Sequence, residues 1–216
     1  MAITYPLAAA DFWEQLRFAD RPVFVPQHNK KQSTSGSGDV LSSFLGQPKW
    51  MVNVTLAGGW HSRNVASESD MKHLASRDGT VLAYDIRRPY PADDPVGWKL
   101  DGRTVTVASK GADNRSLSLT GLRGQFIVTK FDKISILYDT DKRFLCEVME
   151  TVQANDSGVT PEFEVWPFLP PGLNVADVVT MRRACGKFKL SANSFRPNGG
   201  AGNMAAGFSF SLISVP

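Results

Sequence analysis

Short segments in which polar and apolar residues alternate constrain the fold of this chain more than any other feature. Val105 and Val107 alternate with threonines in residues 104–108, Leu117 and Leu119 alternate with serines in residues 115–120, and residues 162–166 alternate strictly. Successive side chains of a strand point to opposite faces, so this pattern predicts half-buried strands. Turn residues separate the segments at the spacing typical of sandwiches and barrels. The sequence therefore predicts an all-β fold.

One or two short helices are expected among the strands. Residues 8–18 hold a cluster of apolar side chains, and residues 67–76 begin at a serine that suits a helix N-terminus. The second segment lies between predicted strands at residues 50–56 and 80–86. These three segments predict a strand–helix–strand unit whose helix packs on a sheet.

The order of the segments predicts a split domain. Residues 96–181 form a self-contained run of strands with their own turns, after a stiff, proline-rich joint at residues 88–97. The last predicted strand, residues 208–215, lies far from the first half of the chain. If that strand returns to the first half, residues 1–95 and 182–216 form one domain and residues 96–181 form a small inserted β-barrel.

The net charge is small and unevenly distributed. The 216 residues contain 24 Lys+Arg and 21 Asp+Glu, a formal net charge of +3. Residues 182–216 alone carry +5, which is too little for a sequence-independent DNA binder. The basic side chains Arg182, Arg183, Lys187 and Lys189 are candidates for an interface with an acidic neighbour. The alternative is that they only keep a strand end soluble.

The sequence predicts no catalytic residue, no metal site and no cofactor. Cys146 and Cys185 lack C-x-x-C partners, and the histidines lack metal-ligand spacing. A G-x-G-x-x-A string at residues 200–205 is not placed between a strand and a helix, as a nucleotide site requires. Glu162 and Glu164 share one face of a strand and are the candidate acids of a hydrolase. A solvated strand face is the favoured interpretation of this pair.

Three of the tryptophans are candidates for structural or interface roles. Trp60 follows two glycines, and it is either an exposed interface anchor or a plug that folds back over a sheet edge. Trp98 is expected to close the start of the barrel. Trp166 begins an apolar, proline-rich corner at residues 166–171 that is expected to pack at the barrel end or against a neighbour. The start of the chain, residues 1–16, lacks a basic region and is not expected to be a signal peptide.

Three stretches carry a family resemblance. They are YDIRRPYP at residues 84–91, LTGL at residues 119–122 and SGVTPEFEV at residues 157–165. With the strand–helix–strand unit before them, they resemble minor tail proteins of tailed bacteriophages and prophages, and most of all the distal tail proteins of long-tailed phages. The resemblance extends over residues 38–190 and rests on structural motifs.

The resemblance implies a structural protein of the virion. Distal tail proteins form a hexameric ring at the tail tip, where they join the tail tube protein to the hub or baseplate and let DNA pass in transit. The implied fold is a tail-tube-like β-sandwich or barrel with a flanking helix, plus the inserted barrel. The family brings no catalytic residues, no cofactor and no membrane insertion, and the implied site of synthesis is the host bacterial cytoplasm. Proteins of the tail-tube family often have a long, extended β-hairpin. Its position in this sequence is not assigned, and the loop at residues 27–39 is the best candidate for it.

A carbohydrate-binding module of the tail tip, used in host adsorption, is the alternative function. In that case an exposed Trp60 or Trp98 would stack on a sugar. The cell-wall hydrolase with Glu162 and Glu164 is a third possibility. In the leading hypothesis, the basic segment that begins at Arg182 and Arg183 faces an acidic neighbour in the tail.

Overall fold

Short antiparallel strands make up most of the regular structure in the computed structural model, which describes residues 4–197, 199–201 and 204–216. The predicted all-β class with a short helix and a small barrel is confirmed. The G-x-G-x-x-A string lies partly outside the described residues. In chain order the strands are β1 (Val23–Gln27), β2 (Lys30–Thr34), β3 (Val40–Phe44), β4 (Lys49–Thr55), β5 (Gly59–Trp60), β6 (Thr80–Ala83), β7 (Val105–Lys110), β8 (Ser116–Thr120), β9 (Ile127–Val128), β10 (Lys133–Tyr138), β11 (Lys142–Val148), β12 (Val152–Gln153), β13 (Phe163–Trp166), β14 (Val178–Thr180), β15 (Gly186–Leu190), β16 (Gly200–Ala201), β17 (Met204–Ala205) and β18 (Ser209–Val215).

A five-stranded sheet holds the last strand of the chain at its centre. Its order is β1-β4-β18-β15-β6, and all neighbouring strands are antiparallel. Phe210 and Leu212 of β18 are buried, while Ser209 and Ser211 are only partly buried. Val52 and Val54 of β4 point into the same core. The period-two pattern in the sequence is therefore the pattern of one buried and one open face.

A closed six-stranded barrel takes all its strands from residues 105–180. The order around it is β10-β11-β13-β8-β7-β14, and β14 closes it by pairing with both β10 and β7. Leu117, Ile134 and Phe163 are among the fully buried side chains of its core. The sheet, in contrast, takes its strands from residues 23–83 and 186–215. The boundaries of the split domain themselves stay a prediction.

The helical segments differ from their predictions. Helix α1 spans His61–Ser76 and starts directly after β5, six residues before the predicted start at residue 67. Its first turns lack an apolar stripe, so the sequence gives no signal there. Residues 8–18 contain only a 3-10 turn at Trp13–Gln15, so the predicted longer helix is wrong. The bridges of Leu7 to Val81 and of Phe18 to Leu56 hold both ends of this segment in extended pairing rather than in a helix.

A β-hairpin projects beyond the sheet. Strands β2 and β3 pair with each other and extend the β1–β4 pair, and the amide of Leu45 donates to the carbonyl of Asn29 at 2.9 Å where the two pairs meet. We call residues 30–44 the arm. Residues 27–39, the candidate position of the family's hairpin, include β2 and the turn that follows it, so they are not a loop throughout. Every residue of β2 is exposed, so this strand has no buried face and no alternation for the sequence to display.

Trp50 joins the sheet to the barrel. Its indole Nε1 donates to the carbonyl of Leu145 in β11 at 2.9 Å, and its ring meets the ring of Trp166 edge-on with centroids 4.6 Å apart. Lys133 of β10 places its ammonium 3.9 Å from the centroid of the Trp50 ring. Leu145 packs in the core of the sheet although it belongs to the barrel. The corner that begins at Trp166 therefore packs between the two units.

We expect Trp50→Phe to lower the free energy of unfolding by about 1–3 kcal/mol, because it keeps an aromatic ring but leaves a buried carbonyl without its donor. Urea denaturation followed by circular dichroism measures the change. The matched control is Trp98→Phe, at an exposed indole, for which we expect a change within about 0.5 kcal/mol. Equal effects of the two substitutions would contradict this role of Trp50.

Candidate functional site

The four basic candidates near the C-terminus all have acidic partners within the chain. Each pair places a side-chain nitrogen within 4.0 Å of a carboxylate oxygen. The pairs are Arg182 with Asp101 (2.8 Å), Arg183 with Glu14 (2.9 Å), Lys187 with Asp141 (3.7 Å) and Lys189 with Asp78. The excess of positive charge in the last 35 residues is thus largely balanced by the fold. The hypothesis that this segment faces an acidic neighbour stays a prediction.

Arg183 has the most partners of the four. Its guanidinium lies 5.9 Å from the centroid of the Tyr84 ring, and the hydroxyl of Tyr84 donates to the same Glu14 carboxylate at 3.2 Å. Burial, followed by the charge of Glu14, raises the pKa of Tyr84. Trp13 donates from Nε1 to the carbonyl of Tyr84 at 3.0 Å. Arg183 therefore ties the last third of the chain to the first residues of the sheet unit.

Trp60 lies on a small exposed sheet. It belongs to β5, which pairs with β17, and its direct partner in the register is Met204. The indole of Trp60 is 63% exposed, and Met204 is exposed as well. Of the two roles left open for Trp60, the plug is therefore excluded by its exposure. The assignment of Trp60 as an interface anchor stays a prediction.

Trp98 does not close the barrel. Its side chain is 81% exposed, the largest exposure among the large apolar side chains described. The side chain of Leu100 is buried in the barrel core instead, and its amide donates to Asp94 at 3.1 Å. Asp93 binds Lys99 at 2.7 Å and accepts from the amide of Ile127 at 3.1 Å. The two adjacent aspartates thus fix the loop that presents Trp98.

The candidate acids of a hydrolase are exposed and show no catalytic arrangement. Glu162 accepts a hydrogen bond from the hydroxyl of Ser109 at 2.8 Å, and Glu164 lies beyond it on the same open face of β13. Cys146 is fully buried in the barrel core, where desolvation raises the pKa of its thiol to about 12. The same cause raises the pKa of Cys185 to about 11. Neither thiol has the low pKa of a reactive cysteine.

A charged cleft lies where the sheet meets the barrel. It has a volume of about 260 Å³ and is lined by Phe131, Arg88, the ion pair of Arg87 with Asp85 and the ion pair of Lys133 with Glu147. We call it the Phe131 cleft. The guanidinium of Arg88 and the ammonium of Lys130 lie 5.7 and 5.1 Å from the centroid of the Phe131 ring. Within the described part of the chain, neither Arg88 nor Lys130 has a carboxylate within 4.0 Å.

The backbone holds Phe131 in an unfavourable conformation. Its φ is 74°, in the left-handed region that bulky residues rarely adopt. The buried carboxylate of Asp132 fixes the turn by accepting from the amides of Thr129 at 2.9 Å and Ala92 at 3.0 Å. Desolvation raises the pKa of Asp132 despite these hydrogen bonds. Sequence reasoning missed the cleft, since Arg88 is far in the sequence from the adjacent Lys130 and Phe131, and the three residues form no motif.

No protein-family model matches this sequence, and a search of curated proteins found no match. Within the described residues, no group of three or more His, Cys, Asp or Glu side chains is placed to hold a metal ion. In the same part of the chain, no helix combines the length and the apolar character needed to span a membrane. Function is therefore inferred from the surfaces described above.

We expect Arg183→Glu to destabilise the protein by up to about 1 kcal/mol, because it sets a second carboxylate against Glu14 at a partly exposed site. The double variant Glu14→Arg with Arg183→Glu should recover part of this loss. Urea denaturation of the two single variants and the double variant gives the coupling energy. Arg196→Glu is the control for a charge reversal in the same basic segment but outside the Arg183–Glu14 pair. Strictly additive effects of the two substitutions would contradict the pairing.

Proposed function

We propose that this protein is a structural, non-enzymatic subunit that forms a ring with its own copies at the distal end of a phage tail. In this role it joins the tail tube to the hub or baseplate at the tail tip, and DNA passes it only in transit. The arm is the observation that carries the proposal. It projects from the edge of the sheet with all of β2 exposed, and Val40, Leu41 and Leu45 are also exposed.

The two edges of the sheet differ in a way that suits assembly. At β6 the chain covers its own edge, because Leu7 donates to Thr80 and accepts from Leu82, both at 2.9 Å. At the other edge, β1 pairs only with β4 among the described strands and exposes Val23 and Val25. An open edge invites pairing with another chain. Head-to-tail contacts between copies give a ring when the rotation closes.

The charge of the chain also suits this role. A channel for DNA should not retain it, and retention requires many cations that contact phosphates. The formal net charge is only +3, and the basic C-terminal side chains form ion pairs within the chain. The hexameric symmetry and the contacts with the tube and the hub rest on the resemblance alone.

The test replaces residues 30–44 with a two-residue Asn-Gly turn between Asn29 and Leu45, which are already hydrogen-bonded. We expect the wild-type protein to form rings, measured by light scattering and negative-stain electron microscopy. The variant should stay monomeric with its thermal unfolding preserved. Val175→Ser, which removes an exposed apolar residue elsewhere, should still form rings. Rings in the variant without the arm, or a wild-type protein that remains monomeric at about 1 mM, would contradict the proposal.

A carbohydrate-binding module of the tail tip is the second candidate function. The exposed Trp98 favours it, because Asp94 fixes its loop and Asp101, the partner of Arg182, follows closely in the chain. A flat aromatic ring with polar neighbours suits stacking on a sugar. Binding to a glycan array that is lost in Trp98→Ala, but kept in Trp60→Ala, is the expected result for this function. A wild-type protein that binds no glycan would contradict it.

A further inference from the structure

The Phe131 cleft carries positive charge that the fold leaves without a carboxylate partner. Arg87 donates from Nη2 to Asp85 at 3.0 Å, and Lys133 pairs with Glu147, so both ion pairs of the cleft wall are complete. Arg88 lacks such a partner. Its charge acts on the buried Asp132, whose pKa desolvation raises, but the two side chains form no ion pair. Lys130 adds a second such cation at the rim of the cleft.

The exposed aromatic ring of Phe131 lies next to the charges of Arg88 and Lys130. Phe131 is 46% exposed, so burial of its ring does not account for the unfavourable backbone conformation at this position. The amide of Phe131 donates to the carbonyl of Val148 at 2.8 Å, and the carboxylate of Asp132, the next residue, accepts from the amide of Thr129 at 2.9 Å. Residues kept in such conformations by their surroundings are concentrated at sites of function. The ring is thus presented to solvent by a turn that is bonded on both sides.

We propose that the Phe131 cleft binds an acidic segment of a protein partner, in which a carboxylate lies next to an apolar or aromatic side chain. The carboxylate accepts hydrogen bonds from Arg88, whose planar guanidinium can bind both oxygens, and Lys130 adds a second attraction. The apolar neighbour packs on the exposed face of Phe131. This inference does not depend on the ring-forming role, since it rests only on the charges and shape of the cleft.

A protein partner fits the cleft better than a nucleic acid. Asp85 and Glu147 neutralise Arg87 and Lys133 in the cleft wall, so only Arg88 and Lys130 remain for a polyanion to bind. Affinity for a polyanion grows with the number of phosphates that cations neutralise, and two cations are few. A short acidic segment needs only one or two carboxylates on Arg88 and Lys130. The paired walls hold the cleft open for it, because Lys133 is fixed both by Glu147 and by the Trp50 ring.

The test is a titration of the full chain, labelled with ¹⁵N, followed by NMR. The probe is a blocked heptapeptide with four glutamates around one tryptophan. We expect amide shifts centred on residue 88 and residues 130–132 at low salt, and weaker binding at about 0.5 M salt. Arg88→Gln and Lys130→Gln should each weaken binding about two- to fivefold, the range typical of exposed charge pairs. Phe131→Ala should weaken it as well.

The controls distinguish binding of the peptide at the Phe131 cleft from non-specific electrostatic attraction to the protein. Arg77→Gln removes an exposed cation at the end of α1 and should leave the affinity unchanged. The same peptide with glutamines in place of glutamates should not bind. An absence of shifts, or equal affinity in Arg88→Gln and Arg77→Gln, would overturn the proposal. Tighter binding of a ten-nucleotide oligothymidine at the same amides would overturn the assignment to a protein partner. Each result is independent of whether the chain forms rings.

Discussion

The position of β18 in the middle of the sheet is the constraint on which the rest of the structure depends. This strand pairs with β4 on one side and β15 on the other, so the sheet exists only when the end of the chain has returned to its first half. Gly207 makes the entry possible, because a Cβ there would lie 1.8 Å from the carbonyl oxygen of Leu56. The barrel strands lie between the partners of β18 in the sequence. Long-range closure of this kind costs chain entropy and is slow.

Trp50 connects the closed sheet to the barrel. Its indole is hydrogen-bonded to β11 and packs against Trp166, and Lys133 lies over its ring. Lys133 in turn forms one wall of the Phe131 cleft through its pair with Glu147. An occupant of the cleft would therefore contact the residues that hold the two units together. The arm is connected to Trp50 through the chain, because β3 of the arm is followed directly by β4, which carries Trp50.

The sequence predicts those elements that have one buried and one open face. Strand β4 lies within one residue of the predicted bounds 50–56, because alternate burial of its side chains imposes a pattern that the sequence displays. Strand β2 of the arm is expected to be a loop at the sequence level, since a strand exposed on both faces has no such pattern. Trp98 was misplaced because an aromatic residue next to a barrel is more often buried than presented. The positive φ of Phe131 depends on Asp132 and a partner amide at Ala92, which no local rule connects.

Pairing of charges is the part of the candidate site that a sequence cannot supply. Arg183 and Glu14 are separated by 169 positions and Lys189 and Asp78 by 111, so the basic terminus looks unbalanced in the sequence and is balanced in space. Arg88 shows the opposite case. Its neighbour Arg87 is paired with Asp85, whereas Arg88 itself lies over the Phe131 ring without a carboxylate partner. A local excess of charge in a sequence therefore does not identify a docking surface. What identifies it is a cation that the fold has left without a partner beside an aromatic ring that the fold has left exposed.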